Sequence, residues 1–337
     1  MLVADVMARA ATEALRDPIG HGRVRERPRV LFAIFITTLL WASAFVAIRS
    51  ARTHFAPAPL ALGRLLVGCV ALSAVMAARR LALPPRRELP AIVACGVLWF
   101  GVYNIALNQG ERLIDAGTAA MVVNVAPIMI ALLATVVLRE RLSRWLLAGL
   151  AVAFAGAAVI GVASSTHHRG GLGGVLLCVL AAAVYTAAVV IEKPVLARVS
   201  PVAVTWAACV AGAVACLPFA PALVGELGRA PASSTLLVVY LGVAPTAIAF
   251  TTWAYALSHS TMARQGATTY LVPPLVIMLS WITLGEVPVA VALLGGALCL
   301  AGVAVTRHRP AQRAPGAAPL VRPERRTTST KRGEVSG

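Results

Sequence analysis

Apolar residues in this chain fall into long unbroken runs rather than alternating with polar ones. The runs lie at roughly 30–49, 57–78, 90–109, 116–138, 144–163, 172–192, 202–223, 235–257, 264–284 and 288–306. A helix rising about 1.5 Å per residue crosses a hydrocarbon core of ~30 Å in about 20 residues and satisfies its own backbone hydrogen bonds there. A barrel strand would need polar–apolar alternation over ~10 residues. A stretch such as LLAGLAVAFAGAAVIGVA, residues 146–163, has none. The pattern predicts an all-α integral membrane protein with ten transmembrane helices.

Composition agrees. The 337 residues are 59% hydrophobic and only 13% charged, against about 25% charged in soluble domains. The 27 Gly and 21 Pro follow no period, which excludes collagen. Cys69, Cys95, Cys178, Cys209, Cys216 and Cys299 all lie in apolar runs without CxxC spacing and read as small core residues. His167 and His168 stand beside Arg169 with no carboxylate or Cys nearby, and there is no GxxxxGK[ST] loop. No metal, cofactor or nucleotide hydrolysis is expected.

Charge sets the orientation. Of the 30 Lys and Arg, 24 fall on the side that holds both termini, 5 on the other, and Arg64 lies inside the second run. The positive-inside rule then places both termini in the cytoplasm of a multi-pass protein of the cell inner membrane. Residues 1–28 carry Arg9, Arg16, Arg23, Arg25 and Arg27 without an apolar stretch. They read as a cytoplasmic segment rather than a signal peptide, the first run acting as signal anchor. Residues 307–337 read as a disordered basic tail. Its cations are expected to meet anionic lipid headgroups, not nucleic acid.

The chain also matches itself. At an offset of 146, residues 126–161 pair with 272–307, with eleven identities in 36 positions that include Pro127 with Pro273, Glu140 with Glu286, Gly149 with Gly295 and Gly156 with Gly302. Five runs per half is an odd number, so the second half enters the membrane inverted relative to the first. Inverted repeats present two related gates around a midplane site.

The stretch Trp41-Ala42-Ser43-Ala44-Phe45-Val46-Ala47-Ile48-Arg49, Arg64, the run from Pro127 to Leu138-Arg139-Glu140 and its copy from Pro273 to Leu284-Gly285-Glu286 resemble the EamA-like family of the drug/metabolite transporter superfamily. The resemblance covers two units, 29–163 and 171–306. It implies two inverted five-helix repeats around a central cavity, and a secondary transporter that exports a small amphipathic metabolite, amino acid or drug by alternating access. Arg139, where the family commonly has Gly, departs from that pattern.

Several residues are candidates for the site. Arg64 lies about 10 Å deep by helix rise, where an ionisable group marks function or snorkels outward along its stem. Asn104 and Asn108 share a helix face, as do Thr246, Phe250 and Trp253. Asn124 and Tyr270 precede the paired prolines, and Trp41 and Tyr185 correspond approximately. Together these would line an amphipathic cavity, or serve as interhelical contacts and interfacial rings. Pro127 and Pro273 are candidate helix breaks. Glu140 and Glu286 are candidate gate latches, and Glu111 and Asp115 candidate proton carriers, since no carboxylate is read near mid-membrane. Small-residue stripes in the fifth and tenth runs suit packing inside the fold or a homodimer seam. The alternative function is an integral-membrane transferase acting on lipid or prenyl substrates, which clustered acidic residues at one face would mark.

Overall fold

A computed structural model of the chain describes residues 27–113, 122–137, 142–164, 172–284 and 290–306. Their regular structure is all helical, with no strand among the described residues. The helices are α1 (Arg27–Ala51), α2 (Pro57–Ala78), α3 (89–113), α4 (Ala126–Val137), α5 (Arg144–Ser164), α6 (Leu172–Val195), α7 (201–227), α8 (232–258), α9 (262–284) and α10 (Ala290–Thr306). Among the described residues, seven of them, α1 to α3 and α6 to α9, are long and apolar enough to cross a membrane. Shorter apolar stretches lie in α4, α5 and α10.

Local chemistry starts the helices where the sequence allows. Pro57 and Pro201 occupy the first turns of α2 and α7, where their missing N–H is not needed. The Ser200 hydroxyl accepts from the Ala203 amide, and the Thr261 hydroxyl from that of Arg264, as N-caps of α7 and α9. Large apolar side chains face outward, Val136 at 78% and Ile282 at 69% exposure, while the interior is rich in Ala, Gly and Cys. That distribution suits lipid outside with close backbone packing within. All six cysteines are among the described residues, and none is in a disulfide. Five are buried and Cys69 is half-buried, its Sγ 3.5 Å from that of Cys209.

Two helices depart from α geometry at corresponding places. Residues Gly96–Tyr103 of α3 and Gly242–Ile248 of α8 are π-helical, and Gly96 and Gly242 stand 146 positions apart, the offset of the repeat. Each opening glycine lets another helix in. A Cβ on Gly96 would lie 2.3 Å from the Ala208 carbonyl of α7, and one on Gly242 would lie 2.6 Å from the Arg64 carbonyl of α2. Ala208 and Arg64 are themselves related at an offset of 144, the spacing of Pro57 and Pro201. The α3–α7 crossing therefore repeats as α8–α2 with the halves exchanged.

The fifth helix of one half packs on that of the other. A Cβ on Gly149 would meet the Gly302 carbonyl at 2.6 Å, and one on Gly156 the Gly295 carbonyl at 2.6 Å. Between them the Cys299 thiol donates to the Ala153 carbonyl at 3.4 Å. The partners run in opposite order, so α5 and α10 are antiparallel. The small-residue stripes thus face each other inside the chain.

Salt and polar contacts close both ends of the bundle. At one end Arg198 Nη1 pairs with Glu88 Oε1 at 2.9 Å, and the Lys193 ammonium donates to the carbonyls of Leu257 and Ser260. At the other, Glu226 Oε2 accepts from the Ala56 amide at 3.0 Å and Arg112 donates to the Phe55 carbonyl at 3.1 Å.

Candidate functional site

Around the π-helical stretches the bundle holds a polar network and an aromatic cluster. Arg64 is 4% exposed, so its stem does not snorkel. Its Nε donates to Thr246 Oγ1 at 2.9 Å and its Nη1 to Asn104 Oδ1 at 3.1 Å. Asn104 Nδ2 in turn donates to the carbonyls of Trp99 and Phe100, and the Thr246 hydroxyl to that of Leu241. Those carbonyls lie in or beside the π stretches, where i→i−4 pairing is interrupted. Arg64 thereby ties α2 to α3 and α8 through groups that those interruptions present.

Beside this network lie the rings. Trp99 of α3 sits 4.9 Å from both Phe250 and Tyr185 and 5.8 Å from Trp253. Trp41 lies 5.0 Å from Trp253 and 6.1 Å from Trp99. Trp41 and Tyr185 thus both touch the Trp99–Trp253 pair. Phe100 and Phe250 approach to 4.3 Å. Most contacts are tilted or edge-on, the geometry that ring quadrupoles favour. Sequence reasoning missed Trp99, Phe100 and Tyr103. Their run LWFGVYN reads simply as apolar, and only the π turn shows which of its rings face inward.

The two halves treat this region differently. At the spacings that relate the crossings, Arg64 corresponds to Ala208, Asn104 to Phe250 and Thr246 to Phe100. A polar triad on one side of the relation is an apolar triad on the other.

The remaining candidates are spread out. Asn108 is buried, Nδ2 donating to the Pro57 carbonyl at 3.3 Å while Oδ1 has no partner. Tyr270 is fully buried and its hydroxyl donates to the Asn124 carbonyl at 2.8 Å, linking residues 146 apart. Pro127 and Pro273 are each the second residue of a regular segment, Ala126–Val137 and Val272–Leu284, and the helix is interrupted just before each. Within those segments each proline sits in the first turn, where it has no intrahelical donor to lose. Asp115, Glu140 and Glu286 lie outside the described residues, and of Glu111 only the backbone is described.

One carboxylate was not expected. Glu192 of α6 is 5% exposed, near the end of the bundle closed by Glu88 and Arg198. The Trp253 indole faces it, yet neither Glu192 Oε2 nor Trp253 Nε1 completes a hydrogen bond, and the Tyr185 hydroxyl is also unpartnered. Its position three residues before the end of α6 made it look interfacial in the sequence.

The pattern that defines the EamA-like transporter family matches residues 28–162 and again 172–307. The chain belongs to the EamA-like transporter family. Among relatives of this EamA-like chain, a probable terminal-alkyne amino-acid exporter of Streptantibioticus cattleyicolor is 40% identical over 83% of the chain and 94% of its own length. An uncharacterized transporter of Bacillus subtilis is 33% identical over 79% and 87%. A probable amino-acid metabolite efflux pump of Salmonella typhimurium is 24% identical over 81% and 92%. A solved crystal structure, 23% identical over 83% of this chain and 96% of its own, shares the fold at a TM-score of 0.68. By family the chain is a membrane transporter, and the transferase alternative finds no support in these matches.

Proposed function

We propose that this transporter exports amino-acid-like metabolites with an apolar side chain, through ten spans arranged as two inverted five-helix units, 29–163 and 171–306, with both termini cytoplasmic. The antiparallel α5–α10 crossing and the exchange of halves between the α3–α7 and α8–α2 crossings support inversion. The loop charges support the orientation. The names of the relatives from Streptantibioticus cattleyicolor and Salmonella typhimurium support the substrate class.

The observation that carries the reading is the asymmetry of the related triads. Inverted repeats alternate between two faces by exchanging the conformations of their halves, so a site at their junction is sampled from both sides. Here one side offers a guanidinium braced by Asn104 and Thr246, and the other offers Ala208, Phe100 and Phe250. A substrate with a carboxylate and an apolar body fits that polarity in one orientation only. Nη2 of Arg64 takes part in neither bond of the triad and is the donor for the carboxylate. Trp41, Trp99, Tyr185 and Trp253 wall the apolar body, with Asn108 toward the opening of α2. Asn124 and Tyr270 form the joint between the two helix breaks.

Counterflow in proteoliposomes tests this, using labelled apolar amino acids against the amines left when their carboxylate is removed. Wild type should exchange the acids and not the amines. Arg64→Lys keeps the charge and loses the planar fork. It should weaken apparent affinity for the acids by about tenfold, the scale of one charge-assisted hydrogen bond. Equal exchange of acids and amines would reject the carboxylate anchor.

A further inference from the structure

Resting on the transport reading above, we infer that Glu192 carries the exchangeable proton that couples transport to a proton gradient. The carboxyl is at least nine-tenths buried and holds one oxygen without a partner beside a tryptophan N–H that is also unpartnered. Structural carboxylates do not look like this. Glu88, at the same end of the bundle, is likewise buried but receives the Arg198 guanidinium at 2.9 Å and Arg87 Nε at 3.2 Å.

The surroundings of Glu192 offer few charges to fix its own. On α6 the neighbours are Lys193, whose ammonium is drawn to the carbonyls of Leu257 and Ser260, and Tyr185 two turns earlier. Of the elements packed against α6, α3 brings Cys95 and Tyr103. The regular segment of α4 brings no titratable side chain, the start of α9 brings Arg264, and α8 brings the Trp253 indole. Arg64 cannot serve. Its Nε and Nη1 are engaged by Thr246 and Asn104, and Asn104 lies nine residues beyond Cys95 on α3, about 13 Å by helix rise and far outside hydrogen-bond reach of Glu192.

A charge taken out of water needs a partner, and intramembrane carboxyls that lack one mark proton paths. The proton is the partner that can be left behind when an end opens. In the proposed orientation the Glu88–Arg198 end is cytoplasmic. When it opens, the O–H bond of Glu192 breaks and the proton passes to cytoplasmic water as substrate enters. After the substrate leaves on the opposite side, a proton from external water re-forms that bond, and the transmembrane proton gradient supplies the drive.

The test compares two assays on the reconstituted full chain with the labelled amino acid that wild type exchanges best. Glu192→Gln is uncharged at every pH. It should retain exchange at equal pH on both sides and lose accumulation driven by an acidic lumen. Unchanged accumulation would overturn the inference. So would loss of exchange in folded protein, because the carboxyl would then be a substrate contact. If the Gln variant does not fold, Glu192→Asp should keep coupling with a shifted pH profile, and an unshifted profile overturns it. Infrared difference spectra of substrate-free protein separate this from failure of the transport reading. They should show a protonated buried carboxyl that titrates in wild type and is missing in the Gln variant, and its absence in wild type counts against Glu192 whatever the chain transports.

Discussion

Tyr270 shows how far a single side chain can be read before its neighbours are known. In the sequence it is a polar ring before a proline, as suited to a cavity wall as to a joint. In the fold its hydroxyl satisfies the Asn124 carbonyl, exposed by the interruption before Pro127. Tyr270→Phe should therefore cost about 0.5–1.5 kcal/mol of stability, the worth of one neutral hydrogen bond, seen as a lower unfolding temperature in detergent. Transport per folded molecule should be unchanged; a raised half-saturation concentration at unaltered stability would return Tyr270 to the cavity wall. Arg64 is the opposite case. Its depth marked it as unusual from the sequence, but Thr246 and Asn104 lie 182 and 40 positions away, and no local pattern predicts that all three meet.

At the scale of elements, the glycines that open the π stretches carry the sharpest expectation. Gly96→Ala and Gly242→Ala place a methyl against a backbone carbonyl of the crossing helix at 2.3 and 2.6 Å, where neither helix can yield without moving its whole turn. Each should cost about 1–3 kcal/mol, the range for overpacking a tight interior. Gly173→Ala, with nothing within 4 Å of its added Cβ, should be neutral or slightly stabilising. Folded yield and thermal unfolding of the three variants side by side check this, and equal behaviour would contradict the close crossings. The apolar runs were legible because lipid imposes length and composition on every helix that crosses it. The π stretches were not, since nothing in GVLWFGVY or GVAPTAI distinguishes a wide turn from an ordinary one. What decides it is the backbone of a helix from the other half pressing on the opening glycine. Glu192 was missed for a related reason: distance from a helix end measures depth along one rod, while burial depends on the rods around it.

Considered whole, the molecule turns many large aliphatic side chains outward. A carboxylate on an exposed mid-span position, introduced as Val70→Asp in α2 or Val214→Asp in α7, should cost about 2.5–3.5 kcal/mol of insertion free energy and sharply reduce the membrane-inserted fraction in a glycosylation-mapping assay. Normal insertion of both variants would mean that those faces do not meet lipid. Topology reporters fused after Arg332 and within Arg86-Arg87 should read cytoplasmic, and one near Arg169 external; the reverse pattern would overturn the orientation while leaving the fold intact. The crossing of α5 with α10 bears on how such a chain is made. Synthesis delivers the halves in order, so the glycine face of α5 emerges early and its partner last. Until Gly295 and Gly302 leave the ribosome, the groove at Gly149 and Gly156 stands open to whatever else the membrane holds. A nascent chain stopped short of residue 290 is therefore an unfinished object, one helix face still lacking the partner that only the final helix supplies.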